Sequence, residues 1–194
     1  GDNPQRITAL LQQASQRSDL VILSGGLGPT ADDVTKRTVA EFLHQPLVTN
    51  AQAKEKLTAT AARLQHALTP NNLVQAQLPA GGEPLPNRTG LAVGSWNVMQ
   101  GTIYVTLPGP PQEFKPMVSE QLIPRLAQHT HKVLASTMLR FYGLTESVIA
   151  TKLAPLIDAQ TNPTIAIYYQ FPDIAVRVTA QAADHAAAEQ LVAP

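Results

Sequence analysis

Two short segments of this chain combine residue types that can hold a phosphate and a cation. The first is Ser24-Gly25-Gly26-Leu27-Gly28-Pro29-Thr30, followed at once by Asp32 and Asp33. Glycines at the end of a strand let the backbone approach a ligand and take positive φ. A helix starting after them offers unpaired N–H groups and a positive dipole end, and the amides of Gly25, Gly26 and Gly28 could cradle a phosphate there. Two carboxylates beside a phosphate repel it unless a divalent cation lies between them, and a magnesium-like ion takes one or two carboxylates plus phosphate oxygens. The plainer reading is a tight turn with an Asp helix cap.

The second segment is Leu107-Pro108-Gly109-Pro110-Pro111-Gln112-Glu113. It also follows an apolar strand and opens a helix. Ligands of open α/β sheets bind at the carboxyl ends of strands, so two such loops on neighbouring strands would face one crevice. Glu113 then stands where it could ligand a metal or orient a water. Taken alone, the segment also reads as a stiff strand–helix connection with a first-turn Glu favoured by the helix dipole. A third candidate, Asn87 to Gly94, reads as a plain turn or as a substrate-side flap with Asn87 as a polar contact. The five histidines show no metal-ligand spacing, and His129 and His131 are expected to be solvated in a linker.

The elements that must position these loops follow from the apolar pattern. Asn3-Pro4 caps a helix with Ile7, Leu10, Leu11 and Ala14 on one face. Asp19 to Ser24 reads as a strand buried on both faces, and a helix is expected from about Asp32 to His44. A further helix is expected over 51–68 with Leu57, Ala61, Leu64 and Leu68 inward, then extended segments and turns from Thr69 to Gly101. Trp96 is expected to pack. A strand over Thr102 to Leu107 leads into a helix from Glu113 to Ala127. After a change of register near residue 130 the order becomes strand, helix, strand, strand, helix. The expected division is therefore 1–130 and 131–194.

Bulk composition bounds the function. Fourteen basic residues balance fourteen acidic ones, which gives no electrostatic footprint for nucleic acid or a membrane surface. With no cysteine, thiolate metal sites and a cysteine nucleophile are excluded. No apolar run approaches the ~20 residues that span a bilayer. A cytoplasmic location is the expectation.

The paired loops, together with Asn87, Gly90, Gly94 and Asn162-Pro163-Thr164-Ile165-Ala166, resemble the CinA family over essentially the whole chain. The resemblance implies an α/β, three-layer molybdopterin-binding domain of the MoaB/Mog type, then a small α+β KH-like domain. It implies a nucleotide or pterin phosphate held with a divalent metal by the glycine loop and Asp33. It also implies metal-dependent hydrolysis of ADP-ribose or a related nucleotide pyrophosphate. Asp33, Asp32 and Glu113 are then the expected catalytic or metal-binding residues. Ser24, Gly25, Gly26, Gly28, Thr30, Asn87, Pro108, Gly109 and Pro110 are the expected contacts to the ligand. A homo-oligomer with a small-molecule nucleotide substrate is expected. RNA binding is not, because a KH clamp needs Gly-x-x-Gly and Gly143 is the one glycine after Gln128. Family members begin with a further strand, loop and helix, and many carry a C-terminal domain that deamidates nicotinamide mononucleotide. This chain is expected to be a fragment without either, and the alternative function is a non-catalytic nucleotide- or pterin-binding scaffold for that deamidase.

Overall fold

The computed structural model describes residues 2–129, 132–170 and 172–193. The chain divides into two compact units, residues 1–125 and 126–194. His131 and the expected boundary at residue 130 lie outside the described residues.

In the first unit, helix α1 (Pro4–Ser15) starts with the Asn3 side chain accepting the Arg6 amide and with Pro4 in its first turn. The strands β1 (Leu20–Ser24) and β6 (Thr102–Leu107) run parallel, with Leu20 opposite Ile103 and Ser24 opposite Leu107. Strands β5 (Gly94–Met99) and β4 (Glu83–Leu85) extend the sheet antiparallel, in the order β1-β6-β5-β4. A separate ribbon pairs β2 (Leu47–Thr49) with β3 (Gln77–Pro79). Leu11 of α1 and Val39 and Leu43 beside it pack on Tyr104 of β6, with Val21, Leu23 and Phe42 around them. Burying each such side chain stabilises the unit by ~1.5–3 kcal/mol relative to exposure. On the other face, Met117 of α5 (Pro111–Met117) abuts Gly94 of β5. Helices therefore cover both faces of the sheet, and Trp96 is buried as expected.

Three expectations are corrected. β1 is an edge strand among the described residues, with its outer hydrogen-bonding edge unpaired, and it is not buried on both faces, since Ile22 is 45% exposed; apolar runs alone do not distinguish an edge from a centre. Helix α3 (Ala51–Arg63) stops at a Leu64 that is 53% exposed, and a short helix α4 (Pro70–Leu73) follows it. The helix expected over 113–127 is three pieces: α5, a π-helical stretch over Val118–Leu122, and α6 (Ile123–His129). Pro116 and Pro124 cannot donate to the helical ladder, which accounts for the broken register.

The second unit is a three-stranded antiparallel sheet in the order β7 (Val133–Phe141), β9 (Asp173–Ala182), β8 (Thr164–Gln170). One face of β9 carries both helices. Ile174 and Val176 pack under Ile149 of α7 (Glu146–Asp158), and Ala180 packs under Ala188 and Val192 of α8 (His185–Val192). On the open face, the Arg177 guanidinium lies 5.1 Å over the Tyr168 ring and Arg140 pairs with buried Asp173 at 2.8 Å. The Asn162 side chain bonds the Gln181 main chain in both directions at 2.8 Å, pinning the start of β8.

Candidate functional site

The parallel pairing of β1 and β6 brings the two loops together. The Gly25 amide donates to Leu107 O at 2.9 Å, and the Ser24 hydroxyl donates to Pro108 O at 3.2 Å. A Cβ on Gly109 would stand 3.3 Å from the Gly25 Cα, so glycine is what lets the loops approach this closely. Both open into one cleft of about 440 Å³, which Gly26, Gly28, Asp33, Gly109, Pro110 and Glu113 help to line.

The glycine loop folds back on its own helix. Gly26 has φ +69° and its carbonyl accepts the Thr35 amide at 3.1 Å; a side chain there would strike the Thr35 hydroxyl. Helix α2 (Thr35–Phe42) therefore begins three residues later than expected, with a turn over Thr30–Asp33 between loop and helix. Asp33 organises that turn. Its Oδ2 accepts the Thr30 amide at 3.0 Å and the Thr30 hydroxyl at 2.5 Å. Partial burial pushes the Asp33 carboxyl up, but hydrogen bonds from Thr30 and Gly28 and the nearby Lys36 charge outweigh it and hold the group below its ordinary 3.8. The amides of Gly25 and Gly28 are thus engaged by Leu107 and Asp33, which leaves Gly26 as the expected cradle amide without an internal acceptor among the described residues. Asp32 is exposed and stands outside the cleft lining, as do Ser24, Thr30 and Asn87.

Glu113 lies in the first turn of α5, and its Oε2 accepts the Asn87 amide at 2.7 Å. Asn87 is buried; its amide nitrogen also donates to Ala92 O at 3.1 Å, and its Oδ1 accepts the Gly90 amide at 2.8 Å. Its polar atoms thus face the protein and hold Glu113 in place. Gly90 packs directly against that carboxylate, where a Cβ would collide with Glu113 Oε2. Lys56 anchors the same turn, donating to the carbonyls of Asn87, Arg88 and Gly90 at 2.5, 3.0 and 2.8 Å. Burial lowers the Lys56 pKa, opposed by the Glu113 charge.

Sequence reasoning missed Lys36 and Gln75. Lys36 is 2% exposed, with its Nζ donating to Val74 O at 3.1 Å and Gln75 O at 2.8 Å. Burial pushes its ammonium down to about 7 from 10.5, only partly opposed by Asp33. The spacing of Lys36 to Val39, Ala40 and Leu43 puts it on the inward stripe of α2, a legible sign of burial. Gln75 carries no comparable signal, yet it lines the cleft. Among the described residues no group of three or more His, Asp or Glu side chains is placed to hold a metal ion, and no helix is long and apolar enough to cross a membrane.

Residues 1–128 match the family described as "Probable molybdopterin binding domain", which sets the class of the first unit. Residues 136–194 match the "Damage-inducible protein CinA KH domain". The chain belongs to the CinA family. A "Putative competence-damage inducible protein" of Levilactobacillus brevis is 49% identical over 195 residues, which is 99% of this chain and 47% of that protein. A protein of the same description from Streptococcus pneumoniae (strain Hungary19A-6) is 51% identical over 191 residues, covering 98% of this chain and 45% of its own length. The chain therefore spans about half the length of the curated relatives it matches. The crystal structure of a CinA protein with unknown function from Thermoplasma acidophilum matches 61% of this chain and 69% of its own, with 32% identity and a TM-score of 0.55.

Proposed function

We propose that the cleft between the glycine loop and the Pro108–Glu113 loop binds a nucleotide pyrophosphate with a divalent cation and hydrolyses it, with ADP-ribose or a close relative as substrate. The observation that carries this reading is the meeting of Asp33 and Glu113, 80 residues apart in sequence, on one cleft at the carboxyl ends of two adjacent parallel strands. The donor set fits a hard cation. Asp33 is kept ionised to low pH, and Glu113 has Oε1 without a hydrogen bond among the described residues. With Asp33 as the protein carboxylate on the ion, the remaining positions would fall to phosphate oxygens and water, the usual pattern for magnesium-like ions. When bound, such an ion neutralises phosphate oxygens and acidifies a water. Asp33 would hold the cation, and the neighbouring exposed Asp32 would add negative charge. The Gly26 amide donates to a phosphate oxygen, and Glu113, fixed by Asn87, accepts the proton of the attacking water. One water adds across the P–O–P link, giving AMP and ribose 5-phosphate.

In the full-length protein supplied with Mg²⁺ and ADP-ribose, Asp33→Asn should lower AMP release at least about a hundredfold. Turnover at the unsubstituted level would remove Asp33 from the reaction. A second reading, binding without turnover in support of a further domain, is favoured by the internal engagement of the Asp33 and Glu113 oxygens described above. Calorimetry alongside the AMP assay separates the two, since a pure binder takes up the nucleotide and releases no product.

A further inference from the structure

Gln75 sits in the 3₁₀ turn Val74–Ala76, between α4 and β3, and its main chain is held from three sides. The Gln75 carbonyl accepts from Lys36 Nζ at 2.8 Å and from the Val93 amide at 2.9 Å. The carbonyls on either side accept from Lys36 Nζ at 3.1 Å and from the Asn50 amide at 2.8 Å. The fixed main chain limits where the side chain can reach, and Gln75 is among the residues lining the cleft, as are Leu91 and Ala92.

The side chain is unusual for what it lacks. Gln75 is only 9% exposed, yet among the described residues its carboxamide makes no hydrogen bond. Asn87, the other buried carboxamide near the cleft, uses both ends. The fully enclosed polar atoms without a partner are Asn97 Oδ1 and Arg125 Nη1, so the Gln75 amide still reaches solvent, and the open space beside it is the cleft. Water can meet the amide there, so a ligand that displaces this water must supply the amide's hydrogen bonds or leave it unpaired at a cost of ~1–3 kcal/mol. A carboxamide is neutral and offers an N–H donor next to a C=O acceptor. That pairing matches a ring edge with adjacent acceptor and donor, as a heterocyclic base presents. The phosphate end of the cleft is already served by the glycine loop and the carboxylates.

We propose that Gln75 is a specificity-determining residue that reads the heterocyclic base of the ligand through paired hydrogen bonds, with Leu91 and Ala92 as the apolar wall beside the ring. The inference rests on the proposed nucleotide-binding role of the cleft. Lys36 serves it as a positioning residue, holding the Val74–Gln75 carbonyls at the base of α2.

The test titrates the full-length protein with Mg²⁺-ADP-ribose and, separately, Mg²⁺-pyrophosphate, comparing the unsubstituted protein with Gln75→Met and Gln75→Glu. Both variants keep the length of the side chain, and thermal melting checks that each is folded. The expected result is a roughly tenfold loss of ADP-ribose affinity in Gln75→Met with pyrophosphate binding unchanged. Gln75→Glu should lose affinity likewise and recover part of it as the carboxyl protonates at low pH. Equal weakening towards both probes, or no change towards either, overturns the role of Gln75 while the cleft keeps its proposed function. If the unsubstituted protein binds pyrophosphate but not ADP-ribose, base reading fails and the anion site stands. If it binds neither, the cleft reading fails and takes this inference with it.

Discussion

The cleft has two walls built from the same kinds of parts. Each has a glycine-containing turn, one carboxylate that the turn holds in place, and one lysine whose ammonium binds main-chain carbonyls. On the α2 wall these are Gly26, Asp33 and Lys36; on the α5 wall they are Gly90, Glu113 and Lys56. The lysines differ in setting. Lys36 is sealed beneath its wall with two carbonyl partners, whereas Lys56 is half-buried and holds three. Burying an ammonium disfavours its charge, so Lys36 is pushed down to about 7, and Lys56 is shifted in the same direction. One device thus yields a rigid wall under the glycine loop and a more accessible clamp over the 87–90 turn. Asp33 → Asn, argued above, tests the chemistry of the first wall; stability tests whether the walls differ as their burial implies.

The largest effect is expected at Lys36. Lys36→Ala removes a buried four-carbon stem and both carbonyl contacts, and should cost about 3 kcal/mol of unfolding free energy in urea. Lys56→Ala should cost about 1 kcal/mol, because solvent can replace what it loses. Equal losses at the two positions would break the distinction between an enclosed and an accessible clamp.

The pH dependence of stability sharpens it next. Between about 7 and 10.5 the unfolded chain keeps Lys36 protonated while the folded chain does not, so unfolding takes up a proton. Stability must then rise as pH rises through this window, by at most about 1.4 kcal/mol per pH unit, and be lost again on returning towards 7. The sign is opposite to that of a lysine gaining an acidic partner. Urea unfolding of the unsubstituted protein and of Lys36→Met across this window checks it: the difference between them should widen with pH, and parallel curves would show that Lys36 stays charged when folded.

The walls also mark how far the chain could be read before it was folded. The strands ending at Ser24 and Leu107 are short apolar runs punctuated by Gly and Pro, and both loops stand where that punctuation puts them. That β1 and β6 are neighbours depends on sheet pairing, a long-range fact with no local sign. Local rules also placed the start of α2 too early, since Asp33 looks like a helix cap but instead closes the Thr30 turn. Lys36 was legible in principle from its place on the apolar stripe of α2. Gln75 was not: it becomes notable only when Lys36 and Val93 hold its carbonyl, and Asn50 that of Ala76, from segments distant in sequence.

The smallest effect falls on the same turn. Thr30→Val keeps the size of the side chain and removes only the hydroxyl that bonds Asp33 Oδ2, leaving the Thr30 amide and the Gly28 contact in place. Because the turn is exposed and screened, the stability cost should be about 0.5 kcal/mol. The more telling readout is the titration of Asp33 by NMR. Its native pKa is held down by several donors, of which the Thr30 hydroxyl is the strongest, so losing it should move the midpoint upward. The linked stability is present above 3.8 and lost as pH falls through the native value, so the acid limb of unfolding should shift upward as well. A midpoint that does not move would mean that the amides of Thr30 and Gly28 alone set the charge of Asp33, and that the glycine-loop wall needs no side-chain hydroxyl to keep its carboxylate ready for a cation.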